Sequence, residues 1–252
     1  MKRSKRALVI LTFNECDGTA EQIPRLPLDE IDEVLAVDGG STDGTCELFE
    51  QSGIPVIRQE RRGRGEAFRV GMNNTSAEHV VYFSPDGNED PADIVKLFAL
   101  LEAGADMGIA SRFLPESRNE EDDSRLPLRK WTNMAFTLMA NTLWNRGRPY
   151  VSDTINGFRG ITREAFRLID PVSMGYTIEF ELSIRSMKRR LVIDELATLE
   201  GDRIGGESKA PSFRTGVIFS WFFLKQVFAG NERSVACKLE PATANPVSRK
   251  AA

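Results

Sequence analysis

The chain carries one histidine, His79, and three cysteines in 252 residues. A single imidazole excludes a histidine-rich metal centre and disfavours a Ser-His-Asp triad. Just ahead of an apolar run, His79 reads as a half-exposed residue at the start of a strand. Cys16, Cys46 and Cys237 are widely spaced and form no C-x-x-C pair. They point to neither a disulfide framework nor a zinc site, and a reducing cytoplasm fits them. There is no excess of positive charge: 33 Lys and Arg stand against 37 Asp and Glu, a net charge of −4, so no nucleic-acid partner is expected. No apolar run reaches the roughly 18–20 residues of a spanning helix. Residues 217–224 come nearest and are followed by Lys225, Val227 and Phe228. This segment reads equally as a helix lying in a membrane interface and as a helix docked on the core. The basic start at residues 1–6 precedes an apolar run too short for a secretory signal, so none is expected.

What remains is an ordinary globular composition, 41% hydrophobic and 28% charged, and a length that supports one sizeable core. Strand-like runs at 7–11, 33–37, 55–58, 80–83 and 107–112 alternate with helical segments at 17–29, 43–52, 66–74 and 91–103. The alternation predicts an α/β fold: a mostly parallel central sheet, Rossmann-like, with helices on both faces. A charged loop at 115–128 leads to an amphipathic helix at 129–145, apolar on more than one face, which suits burial or membrane contact. Beyond it come a loop with Asp153 and Gly157, a helix from about 162, a helix at 178–190 and a strand at 191–195. Residues 199–212 are polar and glycine-rich, and the tail from about 231 reads as disordered.

Chemistry gathers where strands end. The run Val34-Leu35-Ala36-Val37 ends in Asp38-Gly39-Gly40-Ser41-Thr42-Asp43-Gly44-Thr45. An acid at the end of a buried strand, a glycine turn and helix-capping residues make a place for a nucleotide, with the carboxylate open to a ribose hydroxyl or a base N–H. One unit on, Phe83 leads into Ser84-Pro85-Asp86-Gly87-Asn88-Glu89-Asp90-Pro91. Ser84, Asp86 and Asn88 alternate at spacing two, and three hard oxygen donors suit Mg²⁺ or Mn²⁺ on a nucleotide diphosphate. A plain capped turn is the competing reading. A dehydrogenase fits poorly, because a dinucleotide fingerprint would follow the first strand.

Taken in order, these segments resemble the inverting GT-A glycosyltransferases of the dolichyl-phosphate mannose synthase type, in glycosyltransferase family 2. Thr12-Phe13-Asn14-Glu15 is similar to the family's T-Y/F-N-E, and Val37 to Thr45 to its V-D-D-G-S-x-D-G-T. The likeness continues at Gly63-Arg64-Gly65, at residues 84–91 (family D-A-D-x-Q-x-x-P) and at Ala110-Ser111-Arg112-Phe113. It goes on through Ser152-Asp153-Thr154-Ile155-Asn156-Gly157, Glu179-Phe180-Glu181, Asp202-Arg203 and Gly206-Glu207-Ser208-Lys209.

The resemblance implies a glycosyltransferase domain over 1–212, with a nucleotide-binding half at 7–112 and an acceptor half at 113–212. A docking helix at 213–230 and a tail at 231–252 follow. It also implies roles. Asp38 would contact base or ribose, helped by Thr12, Asn14 and Glu15, with Gly40, Gly63 and Gly65 shaping the donor site. Arg62, Arg64 and Glu66 lie where they could touch the donor, but no rule turns them into GDP or UDP. Asp86 and Asn88 would hold the divalent ion. Arg112, Arg129 and Lys130 would meet the acceptor phosphate, Asp153 would lie near the sugar hydroxyls, and Arg203 and Lys209 would neutralise the leaving diphosphate or the incoming phosphate. Three positions depart: Asn88 replaces a Gln one methylene longer, Glu179 stands where the family often has Gln, and, the one that matters most, Ser84 stands where the pattern has its first carboxylate, so ion affinity should fall or rest more on the substrate's phosphates. A polyprenyl phosphate acceptor is anionic already and needs no general base. A hydroxyl acceptor would need one, with Glu179, Glu181 or Asp153 as candidates. The expectation is transfer from a nucleotide-sugar to a polyprenyl phosphate, with Mg²⁺ or Mn²⁺, in the cytoplasm and peripheral to its membrane face. The alternatives are a soluble or polysaccharide hydroxyl acceptor, and a non-catalytic nucleotide-sugar-binding module.

Overall fold

Strand β1 (Arg6–Thr12) is buried along its whole length. It is apolar on both faces, as a central strand covered from two sides must be. The computed structural model describes residues 4–122, 127–204 and 212–229, the side chains of 212–215 excepted. Lys209 and the expected disordered tail lie outside the described residues. β1 pairs in parallel with β2 (Glu33–Asp38) and β4 (His79–Phe83), and β2 pairs with the short β3 (Val56–Arg58). β5 (Met107–Ser111), β6 (Arg159–Thr162) and β7 (Ile193–Ala197) complete seven strands in the order β3-β2-β1-β4-β6-β5-β7. The mostly parallel sheet with helices on both faces is therefore what forms.

The exception is β6, antiparallel to both β4 and β5. Its residues were expected to be loop. Arg-Gly-Ile-Thr offers neither alternation nor an apolar run, so nothing local marks it as a strand. Arg159 lies at the centre of the sheet with its side chain wholly buried, a placement its charge argues against. The guanidinium is satisfied by the Asn156 and Glu179 carbonyls and by Ser183 Oγ. Burial pulls it down to about 10, with Glu179 and Asp153 opposing.

Side chains alternate across β1. Ala7, Val9 and Leu11 join one core with α3 (Arg64–Asn73), α5 (Leu128–Trp144) and α7 (Ile178–Arg189). Leu8 and Ile10 join the other with α2 (Thr45–Gln51) and α4 (Ala92–Glu102), whose Ile94, Leu97, Phe98 and Leu101 keep the i, i+3, i+4, i+7 spacing. α1 (Cys16–Gln22) and α6 (Arg163–Ile169) are single short helices. α8 (Ser212–Phe228) docks on the first core through Phe219 and Phe223. Their rings meet Phe136 and Phe180 at centroid distances of 5.8–6.2 Å, and Phe223 meets Trp144 at 5.4 Å. Burying each phenyl contributes roughly 1.5–3 kcal/mol. Its other face is bare: Val217, Trp221 and Phe228 are 56%, 61% and 83% exposed, and α5 beside it exposes Leu128, Trp131 and Leu138. Among the described residues no helix is long and apolar enough to cross a membrane.

Candidate active site

Parallel register brings the strand ends level. Thr12 pairs with Asp38 and Ile10 with Phe83, so the loops after β1, β2 and β4 leave the sheet at one edge. A cavity of about 1100 Å³ opens there, at the carboxyl end of the strands where open α/β sheets bind ligands.

The first wall is made of Thr12, Phe13, Glu15, Gln59, Arg62 and Gly63. Thr12 Oγ1 is buried and makes no hydrogen bond, an orphan that a bound polar group would satisfy. The Arg62 guanidinium lies 5.2 Å over the Phe13 ring. Asp38 is fully buried and does not line the cavity. Its carboxylate accepts from the Gly40 and Ser41 backbone N–H groups at 2.9 and 3.0 Å and from Ser41 Oγ. Ser41 Oγ in turn accepts from Asn14 N, and Asn14 Oδ1 accepts from Thr42 N. Asp38, Asn14 and Gly40 thus build the turn, whereas contact with base or ribose was expected of Asp38. Glu66 pairs with Arg61 and Arg69 and stays off the cavity wall.

Gly63 and Gly65 serve close approach. A Cβ on either would fall 2.2 Å from Met174 O or 1.9 Å from Ser173 O. The glycine pair lets the loop before α3 press on the segment before α7, and Arg64 between them enters the cavity. Arg64 Nε pairs with Glu179, and its Nη1 lies 3.4 Å from Ser84 Oγ.

The second wall holds the expected ion site. Asp86, Asn88, Ser84 and Glu89 line it, and Gly87 turns the chain at φ +93. Asn88 Nδ2 donates to Glu120 at 2.8 Å, which leaves its buried Oδ1 without a partner. Asp86 Oδ2 lies 3.0 Å from Arg203 Nη1, a cation on the expected ion ligand. Among the described residues no three carboxylate, imidazole or thiolate groups converge as a metal cage. One or two carboxylates with an amide oxygen still match an ion held largely by substrate phosphates, so the residues fit Mg²⁺ or Mn²⁺.

The third wall is cationic. Arg112 is clamped by Asp153, Nε to Oδ2 at 2.7 Å and Nη2 to Oδ1 at 3.1 Å, and Glu200 stands 3.6 Å from Nη1. Burial works against both charges of the Arg112–Asp153 pair. Their attraction more than offsets it, holding the carboxyl below and the guanidinium above their ordinary values. Asp153 is wholly buried and accepts from Ile155 and Asn156 N–H groups as well. It was expected beside the sugar hydroxyls and instead lies behind Arg112. Arg129 lines the cavity and pairs with Glu120 at 3.1 Å. Lys130 pairs with Asp122, off the cavity wall. Glu179 reaches the cavity. Glu181 does not: its carboxylate accepts from Val172 and Ser173 N–H groups and pairs with Arg185 at 3.0 Å.

Three carboxylates of the site escaped the sequence reading. Glu89 sits inside the recognised turn but outside the D-x-D pattern. Burial first, then the charge of Asp86, pushes its carboxyl well above the usual range, with Arg64 and the Ser84 N–H opposing. Glu120 and Glu200 come from segments that read as polar loop, and no local signal distinguishes them.

A parallel sheet with a nucleotide-sized cavity at its carboxyl edge, an Asp-x-Asn turn and converging arginines defines a GT-A glycosyltransferase. The chain belongs to glycosyl transferase family 2, whose sequence profile matches residues 7–169. It is 30% identical to glycosyltransferase AglJ of Haloferax volcanii, over 71% of this chain but only 57% of that relative's length. It is 26% identical to the polyprenol monophosphomannose synthase of Mycolicibacterium smegmatis, over 83% and 82% of the two chains. Among solved structures it resembles glucosyl-3-phosphoglycerate synthase from Mycobacterium tuberculosis in complex with Mn²⁺, UDP-glucose and phosphoglyceric acid. That match has a TM-score of 0.68 at 23% identity and covers 92% and 81% of the chains.

Proposed function

We propose that the protein transfers a sugar from a nucleotide-sugar to a polyprenyl phosphate, with inversion and with Mg²⁺ or Mn²⁺. It works in the cytoplasm, peripheral on the membrane face. One observation carries the acceptor. The cavity wall passes from Asp86, Arg112 and Arg203 to Leu128, Phe136, Val217 and Phe219, and Leu128 and Val217 belong to the bare apolar faces of α5 and α8. An anionic head with a long apolar tail matches that gradient. The polyprenol monophosphomannose synthase relative supports the same reading.

The chain's own groups supply what the reaction needs. Positive charge for the leaving diphosphate comes from Arg64 and Arg203. Arg112, held rigid by Asp153, meets the acceptor phosphate, with Arg129 beside it. That phosphate attacks as an oxyanion, so no general base is needed, in keeping with Glu179, Glu181 and Asp153 all being tied to arginines. A divalent ion on Asp86 and Asn88 would add Lewis-acid neutralisation of the diphosphate. The apolar wall keeps water from the anomeric carbon.

The test is transfer from radiolabelled UDP-glucose and GDP-mannose, with Mn²⁺ or Mg²⁺, to liposomes carrying a polyprenyl phosphate, against phosphoglyceric acid as soluble acceptor. Label should enter the lipid phase. Transfer confined to the soluble acceptor, or no transfer to either, overturns the acceptor.

A further inference from the structure

We propose that Glu89 supplies the carboxylate that Ser84 lacks, so that a divalent cation at this sheet edge is held by Asp86, Asn88 and Glu89. The inference rests on the metal-assisted reading of the site and adds a ligand from outside the D-x-D positions.

The geometry of one turn carries it. β4 ends at Phe83, Gly87 reverses the chain at φ +93, and Glu89 comes back alongside Ser84. Glu89 Oε2 accepts from Ser84 N at 2.7 Å. The carboxylate is therefore anchored at the backbone of the residue whose own side chain is only a hydroxyl. Its longer arm covers, from five residues on, the place a carboxylate at 84 would serve. Among the described residues Glu89 makes no ion pair: Arg64, whose Nη1 lies 3.4 Å from Ser84 Oγ, is taken by Glu179, and Arg203 by Asp86. The side chain lines the cavity and is partly exposed to it.

Two further observations point to a cation there. Asn88 lines the cavity and is 4% exposed; its Nδ2 is taken by Glu120, and its Oδ1 has no hydrogen-bond partner. Asp86 already holds a cationic group, the Arg203 guanidinium at 3.0 Å. A turn cap explains the bond to Ser84 N, but not why a second carboxyl group lines the wall beside Asp86 with no cation on it among the described residues; a divalent ion would join the two. Two carboxylates and one amide oxygen, completed by substrate phosphates and water, is a donor set that Mg²⁺ and Mn²⁺ accept.

Calorimetric titration of the full chain with Mn²⁺, with and without UDP, tests this. Glu89→Gln keeps an acceptor for the Ser84 N–H and removes the charge. It should weaken Mn²⁺ binding roughly tenfold or more while the melting temperature stays at or above wild type. Ser84→Asp in the Glu89→Gln background should recover most of the loss, and Glu89→Asp, with a shorter arm, should fall between. Mn²⁺ binding by Glu89→Gln equal to wild type, no recovery by the double variant, or no Mn²⁺ binding by wild type overturns the assignment. The lipid acceptor does not enter the titration, so absent lipid transfer with Mn²⁺ binding intact would sink the acceptor alone.

Discussion

Arg112 is fixed by a two-bond clamp from Asp153 and by Glu200 3.6 Å away, and its guanidinium faces the cavity. Asp153 therefore lies behind Arg112, wholly buried and off the cavity wall. The motif around Asp153 was readable in the sequence, but its direction was not. Spacing says that a carboxylate sits in a loop, and only the register of β5 against β6 and β7 shows which side chain lies in front. Glu181 is the same case: its neighbour in the motif, Glu179, reaches the cavity, while its own carboxylate faces the 172–173 backbone. Asp153→Asn should cost about 3–5 kcal/mol at pH 7, because it leaves a buried guanidinium short of charge. Asp153's folded pKa is depressed, so its stabilisation is present above the unfolded value of about 3.9 and is lost as pH falls through the lower folded value. Urea unfolding of both proteins should show a constant gap from pH 7 to about pH 5 that closes below about pH 4. A gap under about 1 kcal/mol at neutral pH would mean that Glu200 holds Arg112 instead.

At the scale of elements, the parallel strands could be read because each is an apolar run closed by a turn, and the long helices because their burial is periodic. β6 could not, since its stability comes from pairing on both edges and from carbonyls that happen to surround Arg159. α8 was readable as apolar but ambiguous between core and membrane, and each of its faces matches one of those readings. Phe219 and Phe223 pack inward, and Val217, Trp221 and Phe228 face out. The two faces can be separated by substitution. Phe223→Ala should destabilise the fold by about 3 kcal/mol, at the lower end for a buried phenyl, visible in denaturant midpoint. Trp221→Ser, on a 61% exposed residue, should change stability by no more than about 0.5 kcal/mol while reducing sedimentation with anionic liposomes. Equal liposome binding by Trp221→Ser and wild type would remove α8 from the membrane contact.

Across the whole molecule, the three edge loops, the start of α3, the 200–204 segment and residues of α5, α7 and the loop after β5 converge on one cavity, and its arginines are paired with carboxylates. Arg203 sits on Asp86, Arg64 on Glu179, Arg129 on Glu120 and Arg112 on Asp153. Phosphates would compete for the arginines, and a divalent ion would take the carboxylates they release, so donor and ion should bind better together than apart. A ligand present at about 100 times its dissociation constant stabilises the native state by about 2.7 kcal/mol, and a domain of this size gains roughly 2–4 °C per kcal/mol. UDP-glucose or GDP-mannose with Mn²⁺ should therefore raise the melting temperature by about 5–10 °C for the donor whose base fits the Thr12–Phe13–Arg62 wall. Mn²⁺ alone should move it less, because Arg203 holds Asp86 and no phosphates complete the coordination. Arg203→Ala should enlarge the shift with Mn²⁺ alone and shrink the shift with the pair. If Mn²⁺ adds nothing to the best nucleotide-sugar, the diphosphate is neutralised by Arg64 and Arg203 without an ion.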